Sequence, residues 1–245
     1  MPGHVHSILI SMFVHTSLFM VGHKLRWPWS RSCALPSLFH ATVTFGWAAY
    51  HASDYLFDPL RINHEPASSL LDPQSYSSPY SFLGSFSVGY MLYDILEMIL
   101  NDKASAMSVL HHVFVIAANV ACSVYGFAQP IMVMAYFEEL STIVLNIPAV
   151  LNLPKTSTAY SILKGGFFIS FVACRFSIMW IVLFNVPRMW SDLAHSSNSV
   201  PAFLALALLL VLMRAVNTYW LFLILRRVCC EATTPWHPSR RKEKQ

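Results

Sequence analysis

Residues 104–137 have the sequence ASAMSVLHHVFVIAANVACSVYGFAQPIMVMAYF, and none of them is Asp, Glu, Lys or Arg. A helix that crosses a bilayer needs about 20 mostly apolar residues, so this stretch is too long for one ordinary crossing. Gly126, Gln129 and Pro130 supply the turn and helix-breaking residues of a tight hairpin. The stretch therefore predicts two membrane-spanning helices, at residues 105–127 and 130–151.

The rest of the chain has the same apolar character. Only 16 of its 245 residues are Lys or Arg and 12 are Asp or Glu, and 56% are hydrophobic, whereas soluble domains average about 25% charged residues. Apolar runs between charges and turn residues predict further helices at 5–22, 37–57, 82–100, 165–186 and 202–225. The predicted fold class is an all-α integral membrane protein with about seven transmembrane helices.

Several classes of protein are excluded by the sequence. Five cysteines form no disulfide framework, and the basic residues form no patch with interleaved aromatics, so we expect no nucleic-acid partner. Nucleotide-binding and serine-hydrolase motifs do not occur. Because HExxH and zinc-like cysteine spacings are also lacking, we expect no metal.

The distribution of basic residues predicts the orientation, because cytoplasmic loops carry the excess of Lys and Arg. One set of alternate connections holds Lys24, Arg26, Arg31, Lys103, Lys155, Lys164, Arg226, Arg227, Arg240, Arg241, Lys242 and Lys244. The other set holds Arg61 and Arg188. The N-terminus is thus predicted outside or lumenal and the C-terminus cytosolic. The first helix is predicted to be a reverse anchor, with signal cleavage as the alternative.

Ionisable side chains lie inside the predicted helices, where each costs about 2.5–3.5 kcal/mol to insert. Polar residues recur at steps of three and four, which puts them on one face of each helix. The stripes include His40, Thr44, Trp47, His51 and Asp54; Tyr90, Asp94, Glu97 and Asn101; Glu138, Glu139, Thr142 and Asn146; Arg175; and Arg214, Asn217 and Thr218. We expect them to converge on one interior chamber, with Glu139 more important there than Glu138. The alternative for the arginines is a structural one, in which they neutralise carboxylates and tie helices together.

His111 and His112 are the strongest candidates for chemistry. Adjacent residues of a helix point about 100° apart, so the two rings do not face one point and do not by themselves form a metal site. One imidazole is a candidate general base or nucleophile towards an acyl group, while the other bonds a neighbouring helix. Alternatively, both rings serve only as helix-to-helix hydrogen-bonding groups.

Cys229 and Cys230 follow the last predicted helix on the predicted cytosolic side, beside Arg226 and Arg227. Juxtamembrane cysteines in this position are candidates for palmitoylation. The alternative is a pair of unmodified thiols at a helix end.

Together these residues resemble a TLC domain, the domain shared by the translocating-chain-associating protein and the ceramide synthases. The resemblance covers roughly residues 35–228 and rests on Ser87-Val-Gly-Tyr-Met-Leu-Tyr-Asp94, His111-His112, Glu139-Leu-Ser-Thr142 with Asn146, Arg175, and Asn217-Thr-Tyr-Trp220 before Arg226-Arg227. It implies that the second to seventh helices form a barrel around a polar chamber. Residues 1–34 are then an N-terminal anchor and basic loop, and residues 229–245 a basic cytosolic tail.

Gly-Tyr-x-x-x-Asp at 89–94 and Ala-Ser-x-x-x-x-x-His-His-Val at 104–113 look most like the calfacilitin-type branch of small TLC-domain proteins. That resemblance implies a plasma-membrane protein that adjusts phospholipid acyl composition and keeps the bilayer less fluid, with the endoplasmic reticulum as the alternative location. It implies a membrane lipid as partner and no cofactor. The implied lipid-binding residues are His51, Tyr90, Tyr93, Thr142, Asn146, Arg175, Asn217 and Trp220.

An acyltransferase similar to ceramide synthase is the competing hypothesis, with acyl-CoA as substrate. His111 or His112 would then act as base or acyl carrier, and Asp94 or Glu139 would orient it. The chain departs from those enzymes at residues 137–142, where Phe-Glu-Glu-Leu-Ser-Thr replaces their His-Asp-x-x-Asp. A seven-span receptor is a third hypothesis, disfavoured because the last helix lacks a lysine for a retinal-type chromophore and the loops are short.

Overall fold

The computed structural model describes residues 2–58, 60–61, 78–125, 129–193 and 200–233, and every regular element in these ranges is helical. The first helices are α1 (Pro2–Lys24), α2 (Trp29–His51), α3 (Ser53–Phe57), α4 (Ser78–Leu100) and α5 (Ala106–Tyr125). They are followed by α6 (Gln129–Ala135), a 3-10 turn (Tyr136–Glu138), α7 (Glu139–Val150), α8 (Thr158–Ser170) and a π-helical segment (Phe171–Ile178). The last are α9 (Met179–Phe184), α10 (Val186–Leu193) and α11 (Val200–Thr233). The all-α prediction is confirmed.

These elements form seven long helical stretches within the described residues, in the order that the sequence predicts. Five contain segments long and apolar enough to cross a bilayer: His4–Lys24, Phe82–Leu100, Ile131–Val150, Thr158–Arg188 and Phe203–Cys230. A shorter apolar segment, Ala106–Cys122, lies in α5. The protein is therefore a multi-pass membrane protein.

Predicted boundaries of α2 and α8 are wrong, each because of one residue near a helix end. α2 begins at Trp29 rather than at 37, because Pro28 has a backbone φ of −55° that suits helix entry and the helix continues through Pro36. The predicted continuation to residue 57 breaks at Ala52, which has a φ of −133°. α8 begins at Thr158 rather than 165, because the Ser157 hydroxyl caps it by accepting from the Tyr160 N–H.

α1 packs against α4 and α2 as part of the bundle. Its Ser11 hydroxyl donates to the Phe86 carbonyl of α4 at 2.6 Å. The two helix backbones approach closely at Gly89, where an added Cβ would lie 2.5 Å from the Ile8 carbonyl oxygen and 2.5 Å from Ser11 Cβ. A small residue at such a crossing allows van der Waals packing between membrane helices.

We expect Gly89→Ala to destabilise the protein by about 1–3 kcal/mol, because the added methyl group meets backbone that cannot move aside. Gly46→Ala is the matched control: it also lies within a helix, and nothing stands within 4 Å of its added Cβ. The measurement is thermal unfolding of the two purified variants in the same detergent. Equal unfolding temperatures for them would contradict close packing between α1 and α4.

Candidate functional site

A cavity of about 400 Å³ lies inside the bundle; we call it the chamber. It is lined by Ser37, Tyr90, Met91, Asp94, His111, His112, Glu139, Ser141, Thr142, Leu145, Phe167, Phe171, Arg175, Trp220, Leu223 and Ile224. These residues come from α2, α4, α5, α7, α8 with its π segment, and α11, whereas α1 contributes none of them. The prediction of six helices around an interior chamber is confirmed.

Asp94 and His112 join α4 to α5 at the chamber wall. His112 Nε2 lies 3.0 Å from Asp94 Oδ2, and His112 Nδ1 lies 2.6 Å from the Ser108 carbonyl oxygen one turn earlier. Because a carbonyl only accepts, Nδ1 carries a proton and donates it there. Both nitrogens of His112 are thus engaged, so its ring is held in one orientation.

His111 presents its ring differently from His112. The two ring planes are 80° apart with centroids 5.4 Å apart, and His111 also packs against the indole of Trp220, at 5.0 Å between centroids. His111 Nδ1 is buried and has no hydrogen-bond partner among the described residues. His111 is therefore the imidazole of the pair with a nitrogen that no described residue engages. As expected for one ring of the pair, His112 is bonded to a neighbouring helix.

Arg175 forms another polar part of the chamber wall. Its Nε donates to the Ser141 hydroxyl at 2.9 Å and its Nη2 to the Thr142 hydroxyl at 3.1 Å. Its guanidinium carbon lies 5.5 Å from the ring centroid of Phe171 and 5.8 Å from that of Trp220. Arg175 lies within the π-helical segment, a local widening of the helix that often marks functional sites.

Glu138 neutralises both arginines of the bundle interior. It accepts from Arg214 and from the Asn217 amide, the latter at 3.1 Å, and Arg175 Nη1 lies 3.5 Å away. The arginines therefore have the structural role given above as the alternative, in which they neutralise a carboxylate and tie helices together. Glu138 adjoins a smaller cavity of about 60 Å³ that shares His111, Glu139 and Arg175 with the chamber. Glu139 lines the chamber and Glu138 does not, and the expectation that Glu139 matters more there stays a prediction.

The family of the chain follows from a comparison with known protein families. The TLC domain family (TRAM_LAG1_CLN8) matches residues 32–226. The chain belongs to the TLC-domain family. The matched range begins in α2 and ends in α11, so the TLC domain contains all six helical stretches that line the chamber. No curated protein matches the chain.

The TLC domain brings eight of the predicted site residues together at the chamber. They are Tyr90, Asp94, His111, His112, Glu139, Thr142, Arg175 and Trp220. Of the four carboxylates expected at the chamber, Asp94 and Glu139 line it, whereas Glu97 and Glu138 do not. Glu97 accepts hydrogen bonds from Trp29 Nε1 and from the Asn101 amide instead. Within the described residues, no group of three His, Cys, Asp or Glu side chains is placed to hold a metal ion.

Four predicted lipid-binding residues lie outside the chamber. His51 is exposed at the end of α2, where it packs against Trp47. Tyr93 is buried on the side of α4 that faces α1, where its ring stacks on His15 with centroids 6.0 Å apart. The remaining two, Asn146 and Asn217, are bonded within the bundle, to Ser37 and to Glu138.

Several chamber residues were missed by the sequence prediction, although the stripes pointed to them. Ser37 lies three residues before His40, and Phe171 lies four residues before Arg175, so extending each stripe by one turn finds them. Leu223 and Ile224 follow Trp220 by three and four residues in the same way. Their apolar side chains were not distinguishable in the sequence from those that face lipid.

Cys229 and Cys230 are exposed and lie within α11, which continues to Thr233 instead of ending at 225. Palmitoylation of these thiols stays a prediction. The basic residues from Arg240 onward lie outside the described residues.

Proposed function

We propose that this TLC-domain protein binds the acyl chain of a membrane lipid in its chamber and thereby adjusts the acyl composition of membrane phospholipids. The observation that carries the proposal is a cavity with apolar side chains along part of its wall and an acid–histidine pair at another part. Met91, Phe171 and Ile224 offer contacts to a hydrocarbon chain, and His111 Nδ1 offers a hydrogen-bonding position to an ester or acid group. Ligand sites combine apolar walls with a few placed polar groups in this way.

We infer that the chamber opens towards the lipid phase. Leu145 and Leu223 line it, and 53% and 38% of their surfaces are exposed in this membrane-spanning bundle. An acyl chain can therefore reach the chamber from the side without crossing water. The resemblance to calfacilitin-type proteins and the Lys and Arg distribution support a plasma-membrane location with the C-terminus in the cytosol.

Leu145→Trp is expected to reduce the amount of acyl lipid that copurifies with the protein by at least about half, since an indole at this position fills the lipid-side opening. Ile169→Trp is the matched control, because Ile169 is 69% exposed on the neighbouring α8 and lines no described cavity. The measurement is quantitative mass spectrometry of lipids extracted from equal amounts of each variant. Equal acyl-lipid content in the two variants, or none in the wild type, would contradict the proposed binding.

A second candidate function is acyl transfer, favoured by the Asp94–His112 pair beside a histidine with an unengaged nitrogen. In that reaction the thioester C–S bond of acyl-CoA breaks and a C–O bond to an acceptor hydroxyl forms. His111 Nδ1 would take the hydroxyl proton, which then passes to the departing thiolate. Asp94 and His112 would act as positioning residues. Transfer of a labelled acyl group from acyl-CoA to a lysophospholipid by purified protein distinguishes this function from binding alone.

A further inference from the structure

A second cavity, of about 340 Å³, lies at the end of the bundle that carries the basic connections; we call it the basic cavity. It is formed where the start of α2, the end of α7 and the start of α8 meet. Its polar lining residues are Ser30, Arg31, Asn152, Lys155, Tyr160 and Lys164. Three of these side chains are cations, and no Asp or Glu is among the lining residues that the structure describes, so the cavity has a positive potential.

Arg31 is fixed within this cavity. Its Nε and Nη2 donate to the Val150 carbonyl at 3.1 and 2.9 Å, and its guanidinium carbon lies 3.9 Å from the centroid of the Trp27 ring. Val150 is the last residue of α7, so Arg31 also satisfies a carbonyl that the helix leaves unbonded. The guanidinium is thereby oriented before any ligand arrives, which lowers the entropic cost of binding an anion.

The basic cavity adjoins the chamber. Leu145 and Phe167 line both cavities, so they form the shared wall between a cationic compartment and the acyl-binding one. Tyr160 and Trp27 lie beside the basic residues, and Tyr and Trp are enriched at the headgroup level of membranes. The arrangement matches an amphiphile that has a negative headgroup at the membrane surface and a chain reaching inward.

We propose that the basic cavity binds the phosphate of an anionic phospholipid whose acyl chain passes Leu145 and Phe167 into the chamber. The proposal rests on the proposed function, because it supplies the headgroup site for the lipid held in the chamber. A bilayer phospholipid is favoured over a soluble acyl donor because Leu145, which lines both cavities, is 53% exposed in a bundle that spans the membrane. Arg31, Lys155 and Lys164 are the phosphate-binding side chains, with Tyr160 as a further donor.

The test compares binding of dioleoyl phosphatidate and dioleoyl glycerol to the purified full-length protein in neutral detergent. Lys155→Gln/Lys164→Gln is expected to weaken phosphatidate binding at least about tenfold, because each basic residue near an anionic lipid contributes on the order of 1 kcal/mol. Dioleoyl glycerol, which lacks the phosphate, is expected to bind this variant and the wild type equally. Lys24→Gln/Lys103→Gln, a matched change of two exposed lysines outside both cavities, is expected to leave phosphatidate binding within about twofold.

Lys155→Arg/Lys164→Arg keeps both charges and is expected to retain phosphatidate binding. Three results would overturn the proposal: unchanged phosphatidate binding in the glutamine variant, an equal loss of phosphatidate and dioleoyl glycerol, or a loss as large in the arginine variant. Oleoyl-CoA distinguishes the source of the phosphate, and binding of oleoyl-CoA with no binding of phosphatidate would also overturn it. Failure of the wild type to bind dioleoyl glycerol would instead count against the proposed function itself.

Discussion

Glu138→Ala is expected to lower the free energy of unfolding by about 3–5 kcal/mol, because it leaves two arginines buried without their shared carboxylate. Arg175 and Arg214 are 6% and 4% exposed, and Glu138 is 5% exposed, so water cannot take over the solvation of either guanidinium. Asn217 loses its acceptor at the same time. The measurement is thermal or chemical unfolding of the purified variant in detergent, beside the wild type.

Glu139→Ala is the matched control for Glu138→Ala. Glu139 is the next residue along the chain, but it lines the chamber and forms no ion pair with Arg214, so its loss is expected to cost clearly less stability. Adding Arg214→Leu to Glu138→Ala is expected to restore part of the loss, because it removes one unpaired buried charge. Equal destabilisation by Glu138→Ala and Glu139→Ala would contradict the described ion-pair network.

The sequence was sufficient to predict the helical architecture and half of the residues that line the chamber. Uncharged runs set the number and order of the helices, since lipid imposes a minimum apolar length. The spacing of Tyr90 and Asp94, and the position of Arg175, placed polar groups on inward faces because charges in a membrane protein avoid lipid. These rules act within one helix, so they can be applied without knowing how the helices pack.

The pairing of residues between helices could not be predicted in the same way. Glu138 meets Arg214 across 76 positions of sequence, and nothing in the spacing of either residue distinguishes Glu138 from Glu139 as the partner. Adjacent residues of a helix point about 100° apart, and the 3-10 turn at Tyr136–Glu138 ends between the two carboxylates, which lie in different environments. The π segment around Arg175 likewise interrupts the regular helical period after α8.

On α2 the spacing of polar residues predicted more chamber residues than the structure has. The spacing from His40 to His51 is regular, yet His40 stacks on Tyr90 at 4.0 Å between centroids whereas His51 is exposed. The helical period of polar residues identifies which face of a helix is polar. It does not identify how far along the helix that face is covered by neighbouring helices. Ser37 is the α2 residue that lines the chamber, so the predicted stripe from His40 to His51 falls outside it.

His111→Ala is expected to abolish most of the effect of the protein on cellular phospholipid composition, because it removes an imidazole of the chamber wall whose Nδ1 has no partner within the described residues. Loss of a general base lowers a reaction rate by about 10²–10⁴-fold, and loss of a polar contact weakens ligand binding. Both candidate functions therefore predict that His111→Ala reduces the effect on phospholipid composition. Asp94→Asn is expected to have a smaller effect, since it acts through the orientation of His112.

His51→Ala is the matched control for His111→Ala. It removes a histidine from the same membrane bundle, but His51 is exposed and outside the chamber. Both variants must reach the membrane in amounts equal to the wild type for the comparison to hold.

The most direct test of the chamber as the functional site is the phospholipid acyl profile of cells. Cells from which the protein has been removed are compared after re-expression of the wild type, His111→Ala or His51→Ala. We expect wild type and His51→Ala to restore the acyl composition, and His111→Ala, as well as the His111→Ala/His112→Ala double variant, to fail. Restoration by the double variant would show that the histidine pair is structural, and it would contradict lipid handling through this chamber wall.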